Sequence, residues 1–295
     1  TAPNYDGFPL DLYLSPEPVL PVQFSRGCYY KDCAFCALTL DHQNFRQRDP
    51  GKTVDDLVWL KERYGAQSFF FTDECFALSP TKRLCQQMID RQVNVKWTCE
   101  LRFEKNLTRE LLGQMRDAGC LKIVFGLESF NQRVMDFMKK GIKQESVRRI
   151  VDDCVDLGIA VHCYVIVGFP TEKEEEALDT MNFVVGNKKL HESYGFSCQP
   201  CLFDLEKEAP IMSDPGSYGI RRIMRPATED LSLGFFYEVQ EGMTPAQAEQ
   251  LYQQVYEKIS EVVCELPFNY SMADGLLYIA RAKSQALQVP QPTGS

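Results

Sequence analysis

Between residues 19 and 204, short apolar runs alternate with amphipathic stretches of helical length, the rhythm of parallel β/α units. Six runs read as strands, over residues 19–24, 68–72, 93–99, 121–125, 160–167 and 194–202. The text between them carries helix signals. After the first strand a helix is expected from Thr53, with Asp56 placed for a capping box. Ser79 and Pro80 supply a capping serine and a first-turn proline for the second. A third helix runs from Thr108 to Ala118 and stops at Gly119. Two helices follow the fourth strand, over 131–140 and 144–157, broken at Gly141. Thr171 and Glu174 are expected to cap the last one, whose acidic first turn suits the positive end of the helix dipole.

Six such units make an α/β fold, a partial (β/α)6 TIM-like barrel that stays open, with functional residues expected at the C-terminal ends of the strands. Residues 1–18 read as a linker-like segment, 19–204 as the barrel and 205–295 as an accessory region with a mostly helical character. In that region a loop rich in Pro, Asp and Gly up to Arg225 precedes helical stretches near 244–261 and 272–286. The chain opens at Thr1 without an initiator methionine and closes on a tail over 289–295, so a longer parent chain is expected.

Composition narrows the function classes. At 295 residues with 44% hydrophobic and 25% charged positions, the chain can bury a full core, and no apolar run approaches the ~20 residues needed to cross a bilayer. A formal net charge of −9 argues against sequence-independent nucleic-acid binding. Twelve dispersed cysteines without a signal-peptide pattern fit the reducing cytoplasm.

Three of those cysteines stand apart. Cys28, Cys33 and Cys36 lie in one tight loop, spaced x4 then x2, with Phe35 just before the last. Three thiolates from one loop fit a 4Fe-4S cluster whose fourth iron is left for an outside ligand. A zinc knuckle is the rival, but structural zinc normally takes four protein ligands. His42 is the only nearby candidate, and the next cysteine is Cys75.

The loop Ser25-Arg26-Gly27-Cys28-Tyr29-Tyr30-Lys31-Asp32-Cys33-Ala34-Phe35-Cys36 resembles the signature of radical S-adenosylmethionine (radical SAM) enzymes. The family's usual spacing is x3 then x2. The longer first interval here is similar to the form found in relatives with an upstream cobalamin domain. The resemblance implies an open (β/α)6 barrel, S-adenosyl-L-methionine as cosubstrate, and Cys28, Cys33 and Cys36 as ligands of a catalytic cluster. It implies further that Thr72, Asp73 and Glu74 stand where the family holds the methionine amino group, usually with Gly-Gly-Glu. Gly126 and Glu128 match the fourth-strand motif whose acid contacts the ribose and amino-acid region. Gly168 and Pro170 match the turn that approaches the adenine, with Phe35 as a wall on its other face. Arg102 is placed to grip the SAM carboxylate, because a guanidinium can bind a carboxylate with two hydrogen bonds.

The activity so implied is reductive cleavage of SAM to a 5′-deoxyadenosyl radical that abstracts hydrogen from a small-molecule or peptide substrate, for methylation or rearrangement. A reducing partner such as flavodoxin or ferredoxin is implied with it. Residues 4–14, 209–211 and 214–220 resemble segments flanking the barrel in cobalamin-type relatives, which leaves cobalamin open as a further cofactor on an upstream domain. The chain itself lacks an Asp-x-His-x-x-Gly motif. Cys198 and Cys201 in the sixth strand, with Cys264, could hold an auxiliary cluster. Residues three apart on a strand point to opposite faces, however, which favours one packed thiol and one at the rim, with either Cys198 or Cys201 a candidate hydrogen donor to a substrate radical. Cys85, Cys99, Cys120, Cys154 and Cys163 lie in apolar text and read as core. Rival functions are an iron–sulfur electron carrier, which would normally close its cluster with a fourth ligand, and a catalytically silent SAM-binding partner.

Overall fold

The structure is a computed structural model that describes residues 2–13, 17–38, 44–187, 196–225 and 234–262. Its centre is a sheet of six parallel strands in the order β1-β4-β5-β6-β7-β8. These are β1 (Val19–Val22), β4 (Ser68–Phe71), β5 (Lys96–Leu101), β6 (Cys120–Glu128), β7 (Ala160–Val167) and β8 (Phe196–Leu202). Seven helices occur among the described residues: α1 (Pro50–Tyr64), α2 (Leu78–Asp90), α3 (Arg109–Asp117), α4 (Gln132–Phe137), α5 (Gln144–Asp156), α6 (Glu174–Gly186) and α7 (Pro245–Val262). Between β1 and α1 lies a two-residue antiparallel ladder of β2 (Ser25–Arg26) and β3 (Arg46–Gln47). The fold is the expected α/β partial barrel.

The strand alternation explains the core. Trp97, Cys99 and Leu101 of β5 and Ile123, Phe125 and Leu127 of β6 are buried in one large apolar cluster with residues of the surrounding helices. The intervening positions Glu100, Gly126 and Glu128 form the other face. Cys85, Cys99, Cys120, Cys154 and Cys163 are all buried, and none is in a disulfide.

Helix starts depart from the expected ones in three places. α1 begins three residues earlier than expected, because Pro50 occupies its first turn and the Asp49 carboxylate caps Lys52 N at 3.1 Å. Asp56 instead pairs with Arg48. α2 starts after Ala77 without a side-chain cap, and Ser79 accepts a bond from Arg83. α6 starts after Lys173, whose N–H donates to Glu176, while Thr171 sits buried in a left-handed conformation and accepts from Arg133. Thr108 does cap α3.

The segment after β8 holds more strand than its sequence announces. β9 (Leu205–Glu206), β10 (Ile220–Met224) and β11 (Gly234–Val239) form an antiparallel sheet, ordered β10-β11-β9. Two 3-10 turns, Pro210–Ser213 and Pro215–Tyr218, lead into it. α7 falls where a helix is expected, and the expected helix at 272–286 lies outside the described residues. A second apolar cluster joins Phe203, Leu205, Ile211, Tyr218 and Tyr237 of this region to Ala34 of the cysteine loop, to Val134 of α4 and to Met138 at its end. The extension is thereby packed against the barrel mouth. No described helix is long and apolar enough to cross a membrane.

Candidate active site

The cysteine loop leaves β2 and is clamped from three sides. Ala34 N donates to Met138 O at 2.9 Å and Ala34 O accepts from Ile211 N at 2.8 Å, which ties the loop to the end of α4 and to the extension. Tyr30 OH reaches Lys139 O at 2.9 Å. Gly141, at φ 65°, leaves room for the Tyr30 ring that a Cβ would strike. From the β4 end, Glu74 accepts Gly27 N at 2.9 Å, and buried Asp73 accepts from Phe24 N, Ser25 N and Ser25 Oγ. Burial raises the Asp73 pKa to about 6 against the pull of those bonds. The two carboxylates thus fix the entry to the loop.

Within the loop the three thiols differ. The Cys75 thiol donates to the Cys28 sulfur and brings the Cys28 pKa down to about 6. Cys33 is buried, and burial raises its pKa while Lys140 and Arg102 oppose the rise. Burial pushes Cys36 up to about 11, and the charges of Cys33 and Cys28 add to that. The thiols are therefore near enough to feel one another. Among the described residues no three His, Cys, Asp or Glu side chains converge on a single metal ion. Three neighbouring thiols flanked by two buried cations are a donor set that fits a polynuclear cluster of net negative charge.

Those cations come from the end of β5 and from the break that follows α4. Arg102, just past β5 and 6% exposed, donates Nη1 to Cys33 Sγ at 3.6 Å and Nη2 to Lys140 O. Its guanidinium carbon lies 3.4 Å from the Tyr30 ring centroid, a cation–π stack. Its Nε lies 3.5 Å from Glu104 and has no hydrogen-bond partner. Glu128 ends β6 at φ 63°, a left-handed conformation uncommon outside glycine, and accepts from Lys140 Nζ at 3.1 Å in a buried ion pair. A Cβ on Gly126 would come within 2.6 Å of Glu128 Oε1, so glycine leaves the carboxylate its place. Burial opposes the Lys140 charge, yet Glu128 and Cys33 hold its pKa above the usual lysine value. Lys140 also lies 5.6 Å from the Phe35 ring centroid.

Cys33, Cys36, Phe35, Arg102, Gly126 and Glu128 are thus gathered around Lys140, with Cys28 close to Cys36 and Arg102, and Asp73 and Glu74 behind the loop. Thr72 is exposed, and its hydroxyl donates to Val22 O at 3.3 Å. Gly168, at φ 86°, donates its N–H to Glu172 at 2.7 Å, and Tyr237 OH donates to its carbonyl at 3.4 Å. Pro170 is buried beside it. On β8, Cys198 packs against the core, whereas Cys201 is exposed and bonds Val165 O at 3.3 Å. Cys264 lies outside the described residues. Sequence reasoning missed Cys75 and Lys140. The available signals were a cysteine directly after two strand-end acids, and a lysine at the Gly141 helix break.

The sequence profile of the Radical SAM superfamily matches residues 22–184, more than half of the chain. The chain belongs to the radical SAM superfamily. Among its relatives is an uncharacterized methyltransferase of Pyrococcus horikoshii, 29% identical over 196 residues, covering 65% of this chain and 42% of the relative. Another is an anaerobic magnesium-protoporphyrin IX monomethyl ester cyclase of Rubrivivax gelatinosus, 30% identical over 160 residues, covering 53% and 29%. The chain therefore spans less than half the length of either. Two solved structures share its fold. The radical SAM methyltransferase TsrM from Kitasatospora setae, with cobalamin and a 4Fe-4S cluster bound, has a TM-score of 0.61 at 16% identity, covering 92% of this chain and 62% of that one. The cobalamin-dependent radical enzyme OxsB, with aqua-cobalamin and S-adenosylmethionine bound, has a TM-score of 0.63 at 15% identity, covering 80% and 40%.

Proposed function

We propose that this chain is the catalytic barrel, residues 19–204 with the packed extension, of a radical SAM enzyme that functionalises a C–H bond, with methylation as the favoured outcome. The observation that carries this is the convergence of the three loop thiols with Arg102, Lys140 and Glu128 at one mouth of the barrel. In this reading Cys28, Cys33 and Cys36 hold a 4Fe-4S cluster. When bound there, the cluster supplies the electron that cleaves S-adenosylmethionine to methionine and a 5′-deoxyadenosyl radical, which takes hydrogen from the substrate.

The chain's own residues bind and orient. Glu128, held by Lys140, presents its carboxylate to the ribose and amino-acid part of SAM, and Gly126 keeps that space open. Two of the Arg102 groups are committed to Cys33 and Lys140 O, which makes Arg102 first an N–H···S donor that tunes the cluster. In this reading Arg102 is also the candidate partner of the SAM carboxylate. Phe35 and the Gly168 to Pro170 turn flank the adenine. Asp73 and Glu74 hold the loop entry, with Thr72 between strand and loop. Exposed Cys201 is the candidate hydrogen donor to a substrate radical.

The names of the relatives support methyl transfer or ring formation on a small molecule. The cobalamin bound by TsrM and OxsB supports a cobalamin partner carried on an upstream domain. A reducing carrier such as flavodoxin or ferredoxin would supply the electron in the cytoplasm. The test is anaerobic reconstitution with iron and sulfide, reduction in the presence of SAM, and chromatography for 5′-deoxyadenosine. The product is expected from the intact chain and not from Cys33→Ala; failure of the reconstituted chain to bind SAM would sink this reading.

A further inference from the structure

One recess beside the barrel mouth serves none of the roles above. It opens along the free edge of the six-stranded sheet, at β1, with a volume of about 680 Å³. Tyr5 and Pro21 form its apolar side, and Gln47, Arg26, Arg46 and Arg48 its polar side. Among the described residues no carboxylate lines it, in a chain with 41 acidic and 32 basic side chains. A concavity with three guanidinium groups, of which only Arg48 has a described acidic partner, runs against that balance.

The register sharpens the point. Arg26 and Arg46 are direct partners across the β2–β3 ladder. Side chains facing each other on an antiparallel pair have Cβ atoms about 4.5–5.5 Å apart, and like charges so placed repel. The ladder cannot relax by sliding, because Gln47 Nε2 donates to Phe24 O at 2.9 Å and Arg48 N donates to the same oxygen at 3.0 Å. Arg48 has Asp56 as a partner. Among the described residues neither Arg26 nor Arg46 has an acidic one. The fold therefore holds two like charges together at the wall of a recess large enough for a small molecule, an arrangement that a bound anion would relieve.

We propose that this recess binds the phosphate or carboxylate group of a small molecule, with Arg26 and Arg46 as its paired donors. The guanidinium fork matches both oxyanions and binds either with two parallel hydrogen bonds. The Tyr5 and Pro21 side receives the ligand's less polar part. Arg26 precedes Cys28 by two residues, so the anion lies directly beside the cysteine loop.

The test is calorimetric titration of inorganic pyrophosphate, and separately of succinate, into the full chain under anaerobic conditions at constant ionic strength. Arg26→Gln and Arg46→Gln are compared with Arg116→Gln, a control at an exposed position of α3 where Arg116 pairs with Asp117. Saturable binding of at least one probe is expected, weakened about tenfold or more by either recess substitution, as for loss of a charge-assisted bond, and unchanged by the control. Pyrophosphate binding alone identifies a phosphoryl ligand and succinate binding alone a carboxylate. Absence of saturable binding, or equal affinity in wild type and both recess variants, overturns the proposal. So does a recess variant that melts several degrees lower without ligand, because the arginines would then be structural. The readout needs no turnover, so its failure and failure of the radical SAM reading are distinguishable.

Discussion

The ends of β4 and β6 both carry acids at the barrel mouth, yet the acids do different work. At the β4 end, Asp73 and Glu74 give their oxygens to backbone N–H groups of the chain entering the cysteine loop. At the β6 end, Glu128 touches no loop backbone; its partner is the buried ammonium of Lys140. An acid that satisfies backbone donors is fixed in place and holds a shape. An acid balanced against one cation keeps acceptor capacity for a ligand, and its left-handed backbone is the kind of local cost that functional sites retain. Glu172 at the β7 end belongs to the first kind, since it accepts Gly168 N.

The sharpest way to break this distinction is at the ion pair. Glu128→Gln leaves Lys140 buried without its counter-charge, and a loss of about 3–5 kcal/mol in unfolding free energy is expected by denaturant titration. The double variant Glu128→Gln with Lys140→Met should recover most of that stability yet still bind SAM at least tenfold more weakly. Recovery of SAM affinity along with stability would make Glu128 structural, like Asp73. Next in size, Asp73→Ala strands Phe24 N, Ser25 N and Ser25 Oγ, with an expected loss of about 2–4 kcal/mol and reduced iron incorporation, measured by melting and by iron content.

Glu172 gives a smaller, pH-dependent signal. Burial raises its pKa to about 8, above its unfolded value, so the neutral form is the one the fold favours. Its contribution is complete below the unfolded carboxyl range and is lost as pH rises through about 8. Stability measured from about pH 6.5 to 9 should therefore fall more steeply in the wild type than in Glu172→Gln, by on the order of 2 kcal/mol across the range. Parallel curves would mean that Glu172 is charged throughout. The smallest effect belongs to Thr72→Val. This exposed side chain makes one bond of 3.3 Å, and a change within about 0.5 kcal/mol with unaltered iron loading is expected.

Much of this was legible in the residues. The buried strands read clearly because each is a short apolar run flanked by turn residues, and residues 160–167 match β7 end to end. The antiparallel sheet of the extension was not legible, since β9 has two residues and β10 carries two exposed arginines in five. The start of α1 was misread because two acids seven residues apart look alike in sequence, and only the fold shows that Asp49 caps while Asp56 pairs with Arg48. The cysteine loop was visible from its spacing. What surrounds it was not, because Lys140 is brought to Glu128 by a helix break and Cys75 reaches Cys28 across 47 positions of chain.

The most direct test of the central claim is electron paramagnetic resonance of the reduced, reconstituted chain with and without SAM. A cluster held by Cys28, Cys33 and Cys36 with an iron open to the cosubstrate should show a shifted signal when SAM is added, a shift weakened in the Glu128→Gln, Lys140→Met double variant. A fully assembled cluster whose signal does not move at saturating SAM would contradict the account.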